Sequence, residues 1–226
     1  MPEHMPRTPE PEVMDEPEGA EAYALSDFSD VNQAFVDAML AFIGTLDEAR
    51  AVDLGTGPGD IPIRIVRARP SWHVVGVDMS EPMLAFARKT AEEAGLAPSL
   101  EWTCADAKDT GLPAHAFDVV LSNSILHHLN DTEAFWSEVK RLGKPSAFVC
   151  CRDLARPVTT EAARKIVARY GGVGSDLMQR DYYNSLLAAY TVDEVRSQLE
   201  AADITADIHV DMITDRHWHA FGRLPG

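Results

Sequence analysis

Four short segments carry residues whose types and spacing suit chemistry. The first reads Asp53-Leu54-Gly55-Thr56-Gly57-Pro58-Gly59-Asp60. A glycine-rich turn between a strand and a helix lets a ligand touch the backbone and presents amide N–H groups at a helix N-terminus. A dinucleotide fingerprint would need a third glycine at position 60, which is Asp, so an oxidoreductase reading is disfavoured. The acid before the turn suits a ligand with a cationic amine instead. Asp78 ends the next apolar run; it can accept both hydroxyls of a ribose, or simply stabilise the dipole of the helix that Ser80 caps. Asp106-Ala107 offers an acceptor for an exocyclic amine, with space beside it for a ring. Asn123 and the pair His127-His128 follow the fourth apolar run.

Stepping through the chain from residue 51 to 153, apolar runs alternate with amphipathic helical stretches. The runs 51–54, 73–78, 100–104, 117–122 and 147–151 read as strands covered on both faces, which predicts a doubly wound, mostly parallel α/β sheet. In such sheets ligands bind outside the carboxyl ends of the strands. All four segments fall there, so they converge on one crevice. An amphipathic helix with Val31, Phe35, Met39, Phe42, Ile43 and Leu46 on its stripe precedes the first strand, with Ser29 or Asp30 as its cap. Met83 lies on the stripe of the helix after Asp78. Residues 155–190 read as an interrupted helical segment around Gly171-Gly172-Val173-Gly174, a cap over the sheet edge. Runs 208–213 and 218–224 then read as an antiparallel hairpin.

Taken in order, Asp53 to Gly59, Val77-Asp78-Met79-Ser80, Ala105-Asp106-Ala107 and Phe117 to Leu129 resemble the motifs of class I S-adenosylmethionine-dependent methyltransferases. The branch they resemble holds small-molecule enzymes such as quinone C-methyltransferases. The resemblance implies a seven-stranded Rossmann-like sheet with an antiparallel last strand. It implies S-adenosylmethionine as donor and S-adenosylhomocysteine as product. It places the methionyl part on Asp53, Gly55, Thr56 and Gly57, the ribose on Asp78, and the adenine against Met79, Met83, Asp106 and Ala107, with Asn123 on the same edge. Two features depart from the family. Gly143-Lys144-Pro145-Ser146 replaces its usual Lys-Pro-Gly-Gly turn. Asn123 is followed by Ser124-Ile125 and not by the Pro-Pro-Tyr of many amino-group methylases of macromolecules.

The expected acceptor is a small molecule, with His127, His128, Tyr182 and His217 as candidates for positioning or proton transfer. His217 and His219 share a strand face, but without a third ligand no metal is expected. Twenty Lys+Arg against 36 Asp+Glu give a net charge of −16, which opposes nucleic-acid and membrane-surface partners. Three cysteines in apolar runs read as inert thiols in a reducing, cytoplasmic setting. No signal peptide is expected, and the protein is read as a monomer or homodimer. Residues 1–22 hold five of the 14 prolines and seven acids, and are expected to form a disordered, dispensable tail ahead of a single domain over 23–226.

Overall fold

The computed structural model describes residues 5–10, 28–171, 176–205 and 207–226. Seven strands form one sheet: β1 (Arg50–Leu54), β2 (His73–Asp78), β3 (Leu100–Cys104), β4 (Phe117–Asn123), β5 (Gly143–Leu154), β6 (His209–Met212) and β7 (His217–Arg223). Their order is β3-β2-β1-β4-β5-β7-β6. Strands β1 to β5 pair in parallel, while β7 is antiparallel to both β5 and β6. The strand order reverses between β1 and β4, which opens a crevice at their carboxyl ends. The expected Rossmann-like sheet with its antiparallel last strand is the one observed.

Helices cover both faces. They are α1 (Ser29–Ile43), α2 (Asp60–Ala68), α3 (Glu81–Glu93), α4 (Thr132–Leu142), α5 (Thr160–Tyr170), α6 (Asp176–Ala188) and α7 (Val192–Ala201). One core joins Phe35, Met39, Ile65 and Trp72 to Val74, Val119, Leu121 and Cys150. The other joins Phe135, Trp136, Val139 and Leu199 to Val52, Leu54, Val120 and Val149. Alternate residues of each strand therefore enter opposite cores, which is why the strands read as unbroken apolar runs.

Local chemistry fixes the helix starts. The Ser80 hydroxyl accepts from the Met83 N–H at 3.4 Å, with Pro82 in the first turn of α3. Asp131 accepts from Ala134 N–H at 3.0 Å ahead of α4. Thr191 and Glu194 form a reciprocal capping box on α7. Helix α1 departs from expectation: Ser29 and Asp30 lie inside its first turn and Phe28 precedes it, with no side-chain cap.

Strand β5 also exceeds its expected bounds. Apolar patterning stops at Cys151, yet Arg152 and Asp153 continue the strand because β7 supplies ladder partners, Arg152 opposite His219 and Asp153 opposite Trp218. Both charged residues are buried. The cap is two helices, α5 and α6; of the glycine run between them, residues 172–174 lie outside the described residues. Cys150 and Cys151 are buried as expected, but Cys104 is exposed at the end of β3.

The N-terminal expectation is corrected for residues 5–10. Met5 N–H donates to Val158 O at 3.2 Å and Thr8 N–H to Leu187 O at 3.0 Å. Arg7 donates to Ala188 O at 2.6 Å, His127 O at 2.9 Å, Leu129 O at 3.1 Å and Asn130 Oδ1 at 3.0 Å. Its guanidinium lies 4.2 Å from the centre of the Tyr190 ring. Composition suggests a solvated leader, but one arginine reaches carbonyls at the ends of a short turn and a helix. The rest of the proposed tail lies outside the described residues.

Candidate active site

The crevice at the β1/β4 switch encloses about 360 Å³. Every residue assigned above to the donor lines it: Asp53, Gly55, Thr56, Gly57, Asp78, Met79, Met83, Asp106, Ala107 and Asn123. They arrive from four strand ends, so their convergence follows from parallel pairing. In register, Asp53 lies beside Gly76 and Leu121, and Asp78 beside Cys104.

At the floor, Asp53 is 1 % exposed. One carboxylate oxygen, Oδ2, accepts from the Thr56 hydroxyl at 2.8 Å. The other, Oδ1, is buried without a hydrogen-bond partner among the described residues. Burial, with some repulsion from Asp78, pushes the carboxyl up to about 7. A buried carboxylate oxygen left unpaired costs free energy that a cationic amine would recover. The loop above it is held by Asp78, whose Oδ2 accepts from Gly57 N–H at 2.7 Å and whose Oδ1 accepts from Ser80 N–H at 2.9 Å. Burial raises the Asp78 carboxyl as well.

Gly55 adopts φ +74°, and a Cβ there would lie 2.5 Å from Ile125. Glycine is thus required by both conformation and space. Met79 is 46 % exposed despite its apolar side chain and borders the crevice, a surface suited to a ring face. Asp106 accepts from Lys108 N–H at 2.9 Å. Asn123 accepts from Arg152 Nε at 2.7 Å and donates to Asn32 Oδ1 at 3.3 Å. Asn32 in turn donates to Asp60 at 2.9 Å, tying α1 to the glycine loop. Phe28 and Asn32 line the crevice too. An aromatic residue ahead of the first helix closing on the donor is expected at Phe28; patterning missed Asn32, because α1 is far away in sequence and its crevice-facing end is polar.

The acceptor-side candidates separate. His128 lines the crevice, whereas His127 is buried behind it. The two rings lie 4.1 Å apart. Asp153 holds His127 through Nδ1 at 2.5 Å and accepts from its backbone N–H at 3.1 Å. Facing that carboxylate raises the His127 imidazole and lowers Asp153, each against the opposing effect of burial.

Tyr182 and His217 do not join them; neither lines the crevice. Tyr182 packs with Leu186 and Ala163 in a small core under the cap, and burial pushes its phenol up to about 12. His217 is buried on β7 against Thr214, and burial with the nearby Arg152 and Arg216 pushes it down to about 3. Tyr182 packs against the cluster of Leu154, Ala163 and Leu186, and His217 pairs with Leu154 on the far side of β5 from β4, so both lie to one side of the β1/β4 crevice. His219 stacks on Phe221 at 4.3 Å, so the His217–His219 spacing serves packing.

Residues 52–151 match the family described as "Methyltransferase domain". The stretch from β1 to β5 thus resembles a methyltransferase domain. It is 33% identical over 118 residues to a trans-aconitate 2-methyltransferase of Azoarcus sp., covering 52% of this chain and 44% of that protein. It is 27% identical over 115 residues to a ubiquinone/menaquinone biosynthesis C-methyltransferase of Cereibacter sphaeroides, covering 51% and 46%. It is 34% identical over 151 residues to a release factor glutamine methyltransferase of Gloeobacter violaceus, covering 63% and 50%. The chain thus spans about half the length of these curated relatives. A solved methyltransferase from Aquifex aeolicus shares the fold with a TM-score of 0.70 at 19% identity, covering 92% of this chain and 98% of that one. Among the described residues no helix is long and apolar enough to cross a membrane.

Proposed function

We propose that the protein transfers a methyl group from S-adenosylmethionine to a small-molecule acceptor. The buried, unpaired Asp53 oxygen beneath a glycine loop is the observation that carries the donor half of this reading. The donor brings an activated sulfonium methyl, so the protein's task is mainly orientation, which contributes up to roughly 7–11 kcal/mol in well-aligned reactions. Asp53 takes the ammonium, Gly55 to Gly57 lie against the methionyl backbone, Asp78 takes the ribose hydroxyls, and Met79 with Asp106 and Ala107 frames the base. His128 stands at the crevice wall where an acceptor would enter, and Asp153 fixes the ring of His127 behind it.

Three features support a small acceptor. The net charge of −16 disfavours polyanions. Asn123-Ser124-Ile125 lacks the Pro-Pro-Tyr of amino-group methylases. Helix α6 and residues 5–10 pack against the turn at residues 126–128 that borders the crevice, as a specificity element would. Relatives acting on a quinone precursor and on a small polycarboxylic acid make these the first acceptor classes to try. A protein acceptor is the second reading, favoured by the similarity to a release factor glutamine methyltransferase.

Incubation of the protein with methyl-labelled donor and a cell extract, fractionated by size, tests both. Label in the small-molecule fraction is expected. Label confined to protein or RNA would overturn the small-molecule reading.

A further inference from the structure

At the edge of the donor crevice, Glu10 meets the adjacent pair His127 and His128, more than a hundred positions away in the chain. Their candidate ligand atoms lie within 4.8 Å of one another. Glu10 Oε1 is 3.2 Å from His128 Nδ1 and 3.6 Å from His127 Nε2. The second distance is too long for a hydrogen bond. Both match the spacing of ligands around one small ion: bonds of about 2.0–2.1 Å in a tetrahedron put neighbouring ligand atoms about 3.3 Å apart.

We propose that Glu10, His127 and His128 bind a late first-row divalent cation such as Zn²⁺ beside the donor crevice. The two-imidazole, one-carboxylate set is the donor chemistry such ions favour, with a further position left for water or an acceptor oxygen. Asp153 completes the pattern. It holds His127 Nδ1 at 2.5 Å, so Nε2 is the nitrogen that faces Glu10. A carboxylate behind a metal-binding imidazole fixes the ring and strengthens it as a ligand.

The surroundings agree. His127 is almost fully buried and Glu10 is largely so, with side-chain exposures of 5% and 13%. Glu10 is carried by a segment that Arg7 pins to the carbonyls of His127 and Leu129, so the third ligand is positioned by bonds beside the other two. The carboxylates of Glu10 and Asp153 outweigh the single charge of Arg7. His128 also borders the crevice, which puts the ion at its edge. The inference stands on these side chains alone and does not depend on methyl transfer.

The test uses the full chain, freed of metal by chelation and without S-adenosylmethionine, titrated with Co²⁺ and Zn²⁺. A single equivalent of Co²⁺ should give the visible absorption bands of a tetrahedral site, and Zn²⁺ should displace it. Glu10→Ala and His128→Ala should each weaken binding by at least tenfold, and Asp153→Asn by about 10–100-fold. Glu10 lies on a terminal segment, so its variant reports on the site even if a variant in the interior fails to fold; circular dichroism checks each. Absence of stoichiometric binding would overturn the proposal, as would binding that survives both Glu10→Ala and His128→Ala. Calorimetry with S-adenosylmethionine on the chelated protein separates this result from the donor site.

Discussion

The Asp78 carboxylate, at the end of β2, accepts a hydrogen bond from the Gly57 backbone N–H at 2.7 Å, in the loop that follows β1. One side chain therefore ties two neighbouring strand ends together at the place where the donor's ribose would lie. The same carboxylate accepts from Ser80 N–H and so also sets the entry to α3.

Asp78→Ala removes these acceptors. Hydrogen bonds to a charged group contribute roughly 1.5–3 kcal/mol each, so loss of one to the ribose should weaken donor binding about 10–150-fold. Calorimetry with S-adenosylhomocysteine measures this. Unchanged affinity in a folded variant would remove Asp78 from the donor site.

Asp53 predicts a pH dependence. Its carboxyl is raised to about 7 in the folded protein, against an ordinary value of 3.8. Between those values the folded state holds more protons, so the Asp53 contribution to ligand-free stability is fully present below the unfolded value and is lost as pH rises through about 7. Donor binding through an ammonium needs the carboxylate, and so runs the other way. Affinity should fall by about tenfold per pH unit as pH drops below the folded value. In Asp53→Asn this acid limb should vanish, with affinity low throughout. Calorimetry across the range decides; an identical limb in the variant would assign it to another group.

Gly55→Ala should combine a left-handed backbone with a clash against Ile125. A cost of about 1–3 kcal/mol and a marked loss of donor affinity are expected. Adding Ile125→Ala should recover part of the stability, since it removes the two shortest contacts and leaves the one to Cβ at 2.8 Å and the backbone strain. Denaturant titration of both variants would show no such coupling if the loop simply shifts away.

Arg7 makes four side-chain hydrogen bonds and stacks on Tyr190. Arg7→Ala should cost about 2 kcal/mol, which for a chain of this size lowers the melting temperature by roughly 4–8 °C. Deletion of residues 1–10 should do at least as much. A melting temperature unchanged by the deletion would restore the view of this segment as a bystander.

Glu138 is buried at the C-terminal half of α4, where it accepts from Thr110 N–H at 2.9 Å and pairs with Arg141 through two bonds of 2.6 and 2.7 Å. These partners hold its carboxyl below the ordinary range despite burial. Its contribution is therefore present above the unfolded value and lost as pH falls through the lowered folded one. Glu138→Ala takes the carboxylate from Arg141 and leaves the Thr110 amide unpaired, and should destabilise by about 3 kcal/mol without altering donor affinity. A loss of donor affinity at full stability would show coupling between this pair and the crevice.

The convergence of the candidate donor residues on one crevice was legible in the sequence because it obeys local rules. A strand that ends in a glycine turn must place the next residues at the carboxyl edge of a parallel sheet. Asp53, Asp78 and Asn123 sit at the carboxyl ends of β1, β2 and β4 and Asp106 just past β3, and parallel pairing alone brings them together. The antiparallel hairpin at the end was legible for the same reason, since a short polar turn allows little else.

The acceptor side was not, because its contacts join residues more than a hundred positions apart and leave no periodic trace. Arg7 reaches the turn at His127, Arg152 reaches Val31 at the start of α1, and Glu10 reaches both imidazoles. Composition marks the N-terminal segment as polar, yet long side chains can satisfy carbonyls that only the folded chain brings within reach. Conversely, Tyr182 and His217 have the right chemistry and the wrong surroundings. Which face of α6 packs downward, and which edge of β7 meets β5, are settled by burial of neighbouring side chains, and that is a property of the tertiary structure.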